Sequence, residues 1–174
     1  MSDAPRYDRG TIVLHWLTAA LVVVMWLIAQ FIDDFQGAGR IYARSSHILL
    51  GVVLIGVLAV RLFWRATGGR KLPPAATGLL QTAATAIHYC LYALLIAVVV
   101  AGVTNALVRG DNILNLYQLT SIAPGNTALR NNVEDVHGLL ANAILILAGL
   151  HAAAALVHHF VWKDQVLRRM IPNL

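Results

Sequence analysis

Four long apolar stretches constrain the fold of this chain more than any other feature. They lie at about 11–31, 45–64, 82–107 and 134–162, and each holds roughly the 20 residues that an α-helix needs to cross a bilayer. Only 12% of the 174 residues are charged, whereas a soluble domain carries about 25%. The sequence therefore predicts an all-α integral membrane protein, with residues 1–174 forming a single four-helix bundle.

The distribution of basic residues predicts the orientation of this bundle, because Lys and Arg are enriched on the cytoplasmic side of membrane proteins. Nine lie on one side of the predicted spans, namely Arg6, Arg9, Arg61, Arg65, Arg70, Lys71, Lys163, Arg168 and Arg169. Four lie on the other side, namely Arg40, Arg44, Arg109 and Arg130. Both termini are therefore predicted to be cytoplasmic, and the excess positive charge reflects topology rather than binding to nucleic acid.

The longest predicted loop, at about 108–133, lies on the external side between the third and fourth spans. Loops of this length without a function are uncommon in compact domains. Two interpretations fit the sequence: a short helix across the outer mouth of the bundle, or a plain connector.

Histidines are the most informative polar residues, because ionisable groups inside membranes are costly and usually mark functional sites. Seven lie in or beside the spans: His15, His47, His88, His137, His151, His158 and His159. One alone could be a helix–helix hydrogen bond, but seven in so small a chain favour function. Only His47 and His137 fall near the external side, so depth predicts that these two pair.

Two histidines are too few for a zinc site, which takes three or four protein ligands. Haem iron needs only two axial ligands, because the porphyrin supplies the other four nitrogens. The single cysteine, Cys90, and the lack of a CxxCH sequence exclude covalent c-type attachment. The external pair therefore predicts a b-type haem with His47 and His137 as its iron ligands.

The spacing in the fourth span predicts a second haem. His137 and His151 are 14 residues apart, which is about 21 Å along a helix and two heptads on the same seam. Two stacked haems would carry electrons across the bilayer. Depth leaves His15 and His88 as partners for His151. His15 is preferred because tilting of the first span would bring the haems closer together, whereas ligation by His158 would place them about 31 Å apart.

The histidines near the end of the fourth span have different predicted roles. His158 follows His151 by one heptad and could bind a quinone carbonyl or transfer its proton, since histidine titrates near physiological pH. An interfacial side chain is the alternative. His159 points roughly 100° away and is predicted to be structural, and His88 could pack beside the inner haem.

External arginines bear on the substrate of the outer haem. Arg40 and Arg44 precede His47 and could guide an anion to it or pair with haem propionates. The external segments also carry five acidic residues against four basic ones, so only a local arrangement could attract an anion; the five are Asp33, Asp34, Asp111, Glu134 and Asp135. Gly51, Gly138 and Gly149 are candidates for sites where a helix or flat cofactor approaches closely.

The whole chain resembles the bacterial cytochrome b561 family. The resemblance lies in "LHW" in the first span, "SHILLGVVLIGVLAVRLFWR" in the second and "HGLLANAILILAGLHAAAALVHHFVWKD" at the end. It implies a four-helix bundle with two b haems in the bacterial inner membrane. Carried over by position, it implies that His15 and His151 ligate the cytoplasmic haem and that His47 and His137 ligate the outer haem. It also implies a quinone site near the inner haem, where His158 falls.

The short stand-alone form of that family includes a superoxide oxidase, so the resemblance implies a superoxide:ubiquinone oxidoreductase. Its partners would be membrane lipid, superoxide and ubiquinone, with no nucleic acid and no required protein partner. The alternative is a relay subunit that passes electrons between a partner dehydrogenase or soluble cytochrome and the quinone pool. A transporter is disfavoured, because no broken helix is predicted and the only carboxylates in the spans, Glu134 and Asp135, lie at the outer end of the fourth.

Overall fold

The structure, a computed structural model, describes residues 6–171, so residues 1–5 and 172–174 of the predicted domain lie outside the described part. It contains four long helices: α1 (Arg9–Phe31), α2 (Gly37–Thr67), α3 (Gly78–Arg109) and α4 (Thr127–Phe160). Each is long and apolar enough to cross a membrane by length and composition. The prediction of an all-α membrane protein with four spans is confirmed.

All four helices begin before their predicted spans, and α2 and α4 do so by the most. The α2 helix begins at Gly37 rather than near residue 45, and α4 begins at Thr127 rather than near residue 134. The additional turns contain Arg40, Arg44 and Arg130, which a hydropathy pattern assigns to loops. These arginines therefore lie on helices that continue past the apolar segment.

The segment between α3 and α4 is not a short helix. It forms a two-stranded antiparallel hairpin, β1 (Asn112–Ile113) and β2 (Tyr117–Gln118). The fully buried Ser45 of α2 holds this hairpin, because its hydroxyl donates to the Asn112 carbonyl (3.1 Å) and accepts from the Leu114 N–H (2.8 Å). We call this end of the bundle the hairpin end.

At the opposite end, the two ends of the described chain meet. The backbone N–H of Tyr7 donates to the Arg169 carbonyl (3.2 Å), and the indole N–H of Trp16 donates to the Met170 carbonyl (2.7 Å). Arg169 also donates to the carbonyl of Pro73, in the loop between α2 and α3 (2.8 Å). We call this end, which includes the 3₁₀ turn Leu167–Met170, the terminal end.

Asp8 caps α1 and ties it to the end of α2. Its carboxylate accepts from the N–H and hydroxyl of Thr11 (2.9 and 2.7 Å), from the indole of Trp64 (2.9 Å) and from the N–H of Arg70 (2.9 Å). Burial opposes ionisation, but these hydrogen bonds together hold the pKa of the Asp8 carboxyl well below its usual range.

The buried core lies at mid-bundle, where α1 packs mainly on α2 and α3 mainly on α4. It comprises Leu21, Leu54, Leu58, Leu95, Val98 and Ile144. Ile144 is one heptad after His137 and one heptad before His151, so the three side chains follow one seam of α4. The core therefore separates one histidine site at the hairpin end from another at the terminal end.

Candidate functional site

The hairpin end brings His47 of α2 and His137 of α4 together. Their ring centroids are 6.1 Å apart and the rings are perpendicular. Nδ1 of His47 lies 3.0 Å from the carbonyl oxygen of Met25, and Nδ1 of His137 lies 3.1 Å from that of Val98. A carbonyl only accepts hydrogen bonds, so both Nδ1 atoms carry the proton and both Nε2 lone pairs are free. We call these two residues the hairpin pair.

The hairpin pair fits a metal held between two axial imidazoles. Two imidazole–metal bonds of about 2 Å each, added to the distances from nitrogen to ring centre, come close to the observed 6.1 Å. Metal-ligating histidines usually donate the other ring N–H to a carbonyl or carboxylate, as both do here. Within residues 6–171, no group of three or more His, Cys, Asp or Glu residues could hold a metal ion. The site therefore favours a cofactor that brings its own equatorial ligands, as haem does.

Gly102 of α3 makes room for His137. A Cβ at position 102 would lie 2.9 Å from Cε1 of His137, closer than side-chain carbons approach. By contrast, a Cβ at Gly138 or Gly149 would meet no protein atom within 4 Å, and one at Gly51 would make ordinary contact with Met25 at 3.5 Å. Close approach of a neighbouring helix therefore does not explain the glycines at positions 51, 138 and 149. The sequence alone did not identify Gly102 as a candidate.

The same face of α3 continues with two incompletely paired polar groups. Asn105 and Arg109 follow Gly102 at helical spacing, and Oδ1 of Asn105 and Nε of Arg109 are buried without a hydrogen-bond partner among the described residues. Buried polar atoms are normally paired, so these two suit a polar group supplied by a ligand. The Arg109 N–H suits an anionic acceptor such as a haem propionate, whereas the Asn105 oxygen only accepts and needs a donor.

Arg44 and Arg109 form a charged cluster beside the hairpin pair. Both approach Asp111, at 3.4 and 3.6 Å, and Arg109 also contacts Glu134. The Arg44 side chain is only 18% exposed and lies one turn before His47. This predicted anion-guiding residue is therefore close to the site, although the cluster holds two carboxylates against two guanidinium groups.

Arg40 lies farther out than Arg44. It pairs with Asp33 at 2.5 Å, and both side chains are exposed. Exposed ion pairs are screened by water and salt, so Arg40 adds little local positive charge at the hairpin pair.

The terminal end brings three histidines together: His15 of α1, His88 of α3 and His151 of α4. The ring centroid of His151 lies 6.3 Å from that of His15 and 5.1 Å from that of His88. Only the first distance resembles the spacing of the hairpin pair. His88 is exposed, and its Nδ1 lies 2.6 Å from the carbonyl oxygen of Ala84 in its own helix.

Arg61 of α2 joins these three histidines, and we call the four residues the terminal cluster. Its guanidinium lies 3.1 Å from Nδ1 of His15 and over the ring of Tyr92, with 5.1 Å between Cζ and the ring centroid. Arginine only donates hydrogen bonds, so Nδ1 of His15 accepts and the ring proton lies on Nε2. This is the opposite tautomer from that of the hairpin pair, and an iron bond at Nε2 requires the proton to leave it.

His158 lies one heptad closer to the terminal end than His151. Its Nδ1 is 2.5 Å from Oδ2 of Asp164, and its ring packs edge-on against Trp162, with centroids 4.4 Å apart. The neighbouring His159 packs against Phe160 instead (4.8 Å). Sequence reasoning missed Asp164, because it follows the end of α4 and returns to His158 through a turn that no periodicity predicts.

Comparison with known proteins places this architecture among membrane cytochromes. A family model described as prokaryotic cytochrome b561 matches residues 6–173. A probable superoxide oxidase, CybB, of Yersinia pestis is 27% identical over 170 residues, covering 97% of both chains. Cytochrome b561 homolog 2 of Escherichia coli (strain K12) is 26% identical, covering 95% of this chain and 91% of the relative. Cytochrome b562 of Cereibacter sphaeroides is 29% identical, covering 98% of both chains.

Proposed function

Because the chain belongs to the prokaryotic cytochrome b561 family, we propose that it is a superoxide:ubiquinone oxidoreductase of the bacterial inner membrane. Membership makes it a multi-pass membrane protein that transfers electrons and binds b-type haem. In the proposal the hairpin end faces the periplasm and the terminal end faces the cytoplasm. Two haems b, ligated by His47 with His137 and by His15 with His151, supply one-electron transfer between the two faces.

The observation that carries this proposal is the presence of two histidine pairs with nearly equal spacing at opposite ends of one apolar core. The centroid distances are 6.1 Å at the hairpin end and 6.3 Å at the terminal end. Each pair draws one residue from α4 and one from another helix. The α4 helix therefore links the two sites through Ile144, which is buried midway between its two histidines.

At the hairpin end, the proposed substrate needs little from the protein. Superoxide loses one electron and leaves as oxygen, so the reaction requires neither a general acid nor a general base. Arg44, close to His47 and partly buried, supports the approach of an anion, with Arg40 as a more remote and screened contributor. The similarity to the Yersinia protein named as a probable superoxide oxidase also supports this substrate.

At the terminal end, reduction of ubiquinone takes up two electrons and two protons. His158 is the proposed residue that contacts the quinone carbonyl and donates a proton to it. Its position on the same seam as His151, one heptad nearer the end of α4, supports a role next to the terminal haem. The contact with Asp164 occupies Nδ1 of His158 and leaves Nε2 available for the quinone.

Stopped-flow absorbance of the purified, oxidised protein tests the proposal directly. Mixing with superoxide should reduce the haems rapidly, superoxide dismutase should suppress the reaction, and added ubiquinone should reoxidise the haems. Haems that remain oxidised in the presence of superoxide would contradict superoxide as the donor.

The pairing of external cations with carboxylates favours a second candidate, an electron-relay subunit. Arg40, Arg44 and Arg109 each contact an acidic residue, which weakens any net field that would attract an anion. A partner dehydrogenase or soluble cytochrome would then deliver the electrons that reach the quinone pool. Haems that superoxide does not reduce but that accept electrons from a co-purifying polypeptide would identify this function.

A further inference from the structure

The turn after α4 folds a carboxylate back onto the end of that helix. Lys163 adopts a left-handed conformation, with a φ of 54°, which is uncommon for a residue with a side chain and often marks functional sites. The turn lets the N–H of Asp164 donate to the His158 carbonyl (3.1 Å), while Oδ1 of Asp164 accepts from the Val166 N–H (3.0 Å). Both the backbone and one carboxylate oxygen therefore fix Asp164, and the other oxygen meets His158 at 2.5 Å.

A polar pocket of about 240 Å³ borders this carboxylate and is lined by His159, Lys163, Asp164, Gln165 and Arg168. Asp164 lines the pocket and also forms a hydrogen bond with His158, so it connects the pocket to that histidine. The pocket is large enough to hold several water molecules beside the carboxylate.

We propose that Asp164 is a positioning residue for quinone reduction, which holds Nδ1–H of His158 and stabilises its protonated ring so that Nε2–H can be donated to a quinone oxygen. This inference rests on the proposed function of His158. A carboxylate that holds a histidine in this way fixes its orientation and favours its positively charged form, as in hydrolase triads.

The proton balance follows from this arrangement. The N–H bond at Nε2 of His158 breaks and an O–H bond forms on the quinone, while the Nδ1 proton stays hydrogen-bonded to Asp164. A proton from bulk solvent then reaches Nε2 through water, and a second donation completes ubiquinol. The two electrons come from two superoxide ions, which leave as two oxygen molecules.

The charges around Asp164 are compatible with this role. Burial opposes its ionisation, but hydrogen bonds from His158 and Val166 and the nearby charge of Arg169 lower the pKa of the carboxyl. The pocket adds Lys163 and Arg168 as cations and His159 as a second titratable group. The α1 helix reaches this region through the uncharged Trp16. The carboxylate therefore remains ionised at neutral pH and can stabilise a cationic His158.

The experiment measures the rate at which ubiquinone-1 reoxidises the reduced haems, per haem, from about pH 5.5 to about pH 9. Asp164→Asn should slow reoxidation roughly tenfold near pH 8. The reoxidation rate falls as the pH rises, and the pH at the midpoint of that fall should be about one unit lower in this variant. The shift is downward because loss of the carboxylate disfavours the protonated ring. Asp164→Glu should restore most of the rate, and His159→Gln, a pocket residue not bonded to Asp164, should keep the wild-type profile.

An unshifted profile for Asp164→Asn, including one that is slower by the same factor at every pH, would overturn the inference, because a purely structural contact predicts that result. If Asp164→Asn does not retain its haems, the same pH profile is measured for His158→Gln. A wild-type profile for His158→Gln would also overturn the inference. Wild-type haems that ubiquinone fails to reoxidise would instead count against the proposed function. Normal wild-type reoxidation with an unshifted Asp164→Asn profile would remove only the role of Asp164.

Discussion

The hairpin pair and the terminal cluster have similar spacing between histidines but different surroundings. At the hairpin end, backbone carbonyls of Met25 and Val98 hold both Nδ1 atoms. At the terminal end, the flexible side chain of Arg61 meets Nδ1 of His15. A carbonyl moves only with its helix, whereas a guanidinium can turn to another partner such as a haem propionate.

This difference separates a site that is fixed by the fold from one that can adjust. The hairpin pair presents two Nε2 lone pairs in advance, so binding a haem requires little rearrangement. The terminal cluster contains a positive charge and a third histidine, so ligation there requires Arg61 to release His15. We therefore expect backbone geometry to control the hairpin site and electrostatics to control the terminal site.

The largest effect is expected from removing a haem ligand in the terminal cluster, which tests whether His15 or His88 pairs with His151. His15→Ala should remove one of the two proposed haems, because only His15 lies at the 6.3 Å spacing from His151 that suits two axial ligands. His88→Ala should retain both haems, since His88 is exposed and bonded within its own helix. Pyridine haemochrome assays per mole of protein measure this, and the reverse result would assign His88 as the ligand.

A smaller effect is expected from crowding the hairpin pair. Gly102→Ala places a methyl group 2.9 Å from Cε1 of His137, which should displace the ring and weaken haem binding at that site about 10- to 100-fold. Gly138→Ala is the matched control, because a methyl group there meets no protein atom within 4 Å. Haem titration of the two variants should separate them, and equal affinities would refute the role of Gly102.

Removal of the positive charge of Arg61 should change the redox potential of the terminal haem rather than the haem content of the protein. Arg61→Gln should lower the midpoint potential of the terminal haem by about 60 mV, a tenfold change for one electron, because a nearby cation favours the reduced form. Arg65→Gln should shift it less, since Arg65 lies over Tyr92 at 5.8 Å and does not bond His15. Spectroelectrochemistry measures both haems, and an unchanged terminal potential with a shifted hairpin potential would contradict the assignment.

The smallest expected effect concerns Asp8, which belongs to neither site but anchors the helix that carries His15. Asp8→Ala should lower stability by roughly 1–2 kcal/mol, as for loss of a helix N-cap, whereas Asp33→Ala at an exposed ion pair should change it little.

The effect of Asp8 should also depend on pH. Because folding lowers the pKa of Asp8, its contribution is present above the unfolded carboxyl pKa near 4 and is lost as pH falls below it. Thermal unfolding of wild type and Asp8→Ala should therefore converge on acidification, and a difference that grows instead would contradict this sign.

The sequence predicts the four helices and the depth of each histidine, because apolar length and position along a helix determine both. It does not predict Gly102, Arg61 or Asp164, since their contacts depend on how each helix rotates and where the chain turns after α4. The hairpin at 112–118 was missed for a related reason: its main anchor is the buried Ser45 of another helix, a contact that local sequence does not reveal.

Superoxide-driven reduction of the His137→Ala variant tests the central claim that electrons enter at the hairpin end and cross to the terminal end. This variant should lose the hairpin haem and keep the terminal haem, which dithionite should still reduce. In stopped-flow absorbance, superoxide should reduce both haems of the wild type but leave the remaining haem of His137→Ala oxidised. Reduction of that haem by superoxide at the wild-type rate would contradict the proposed path.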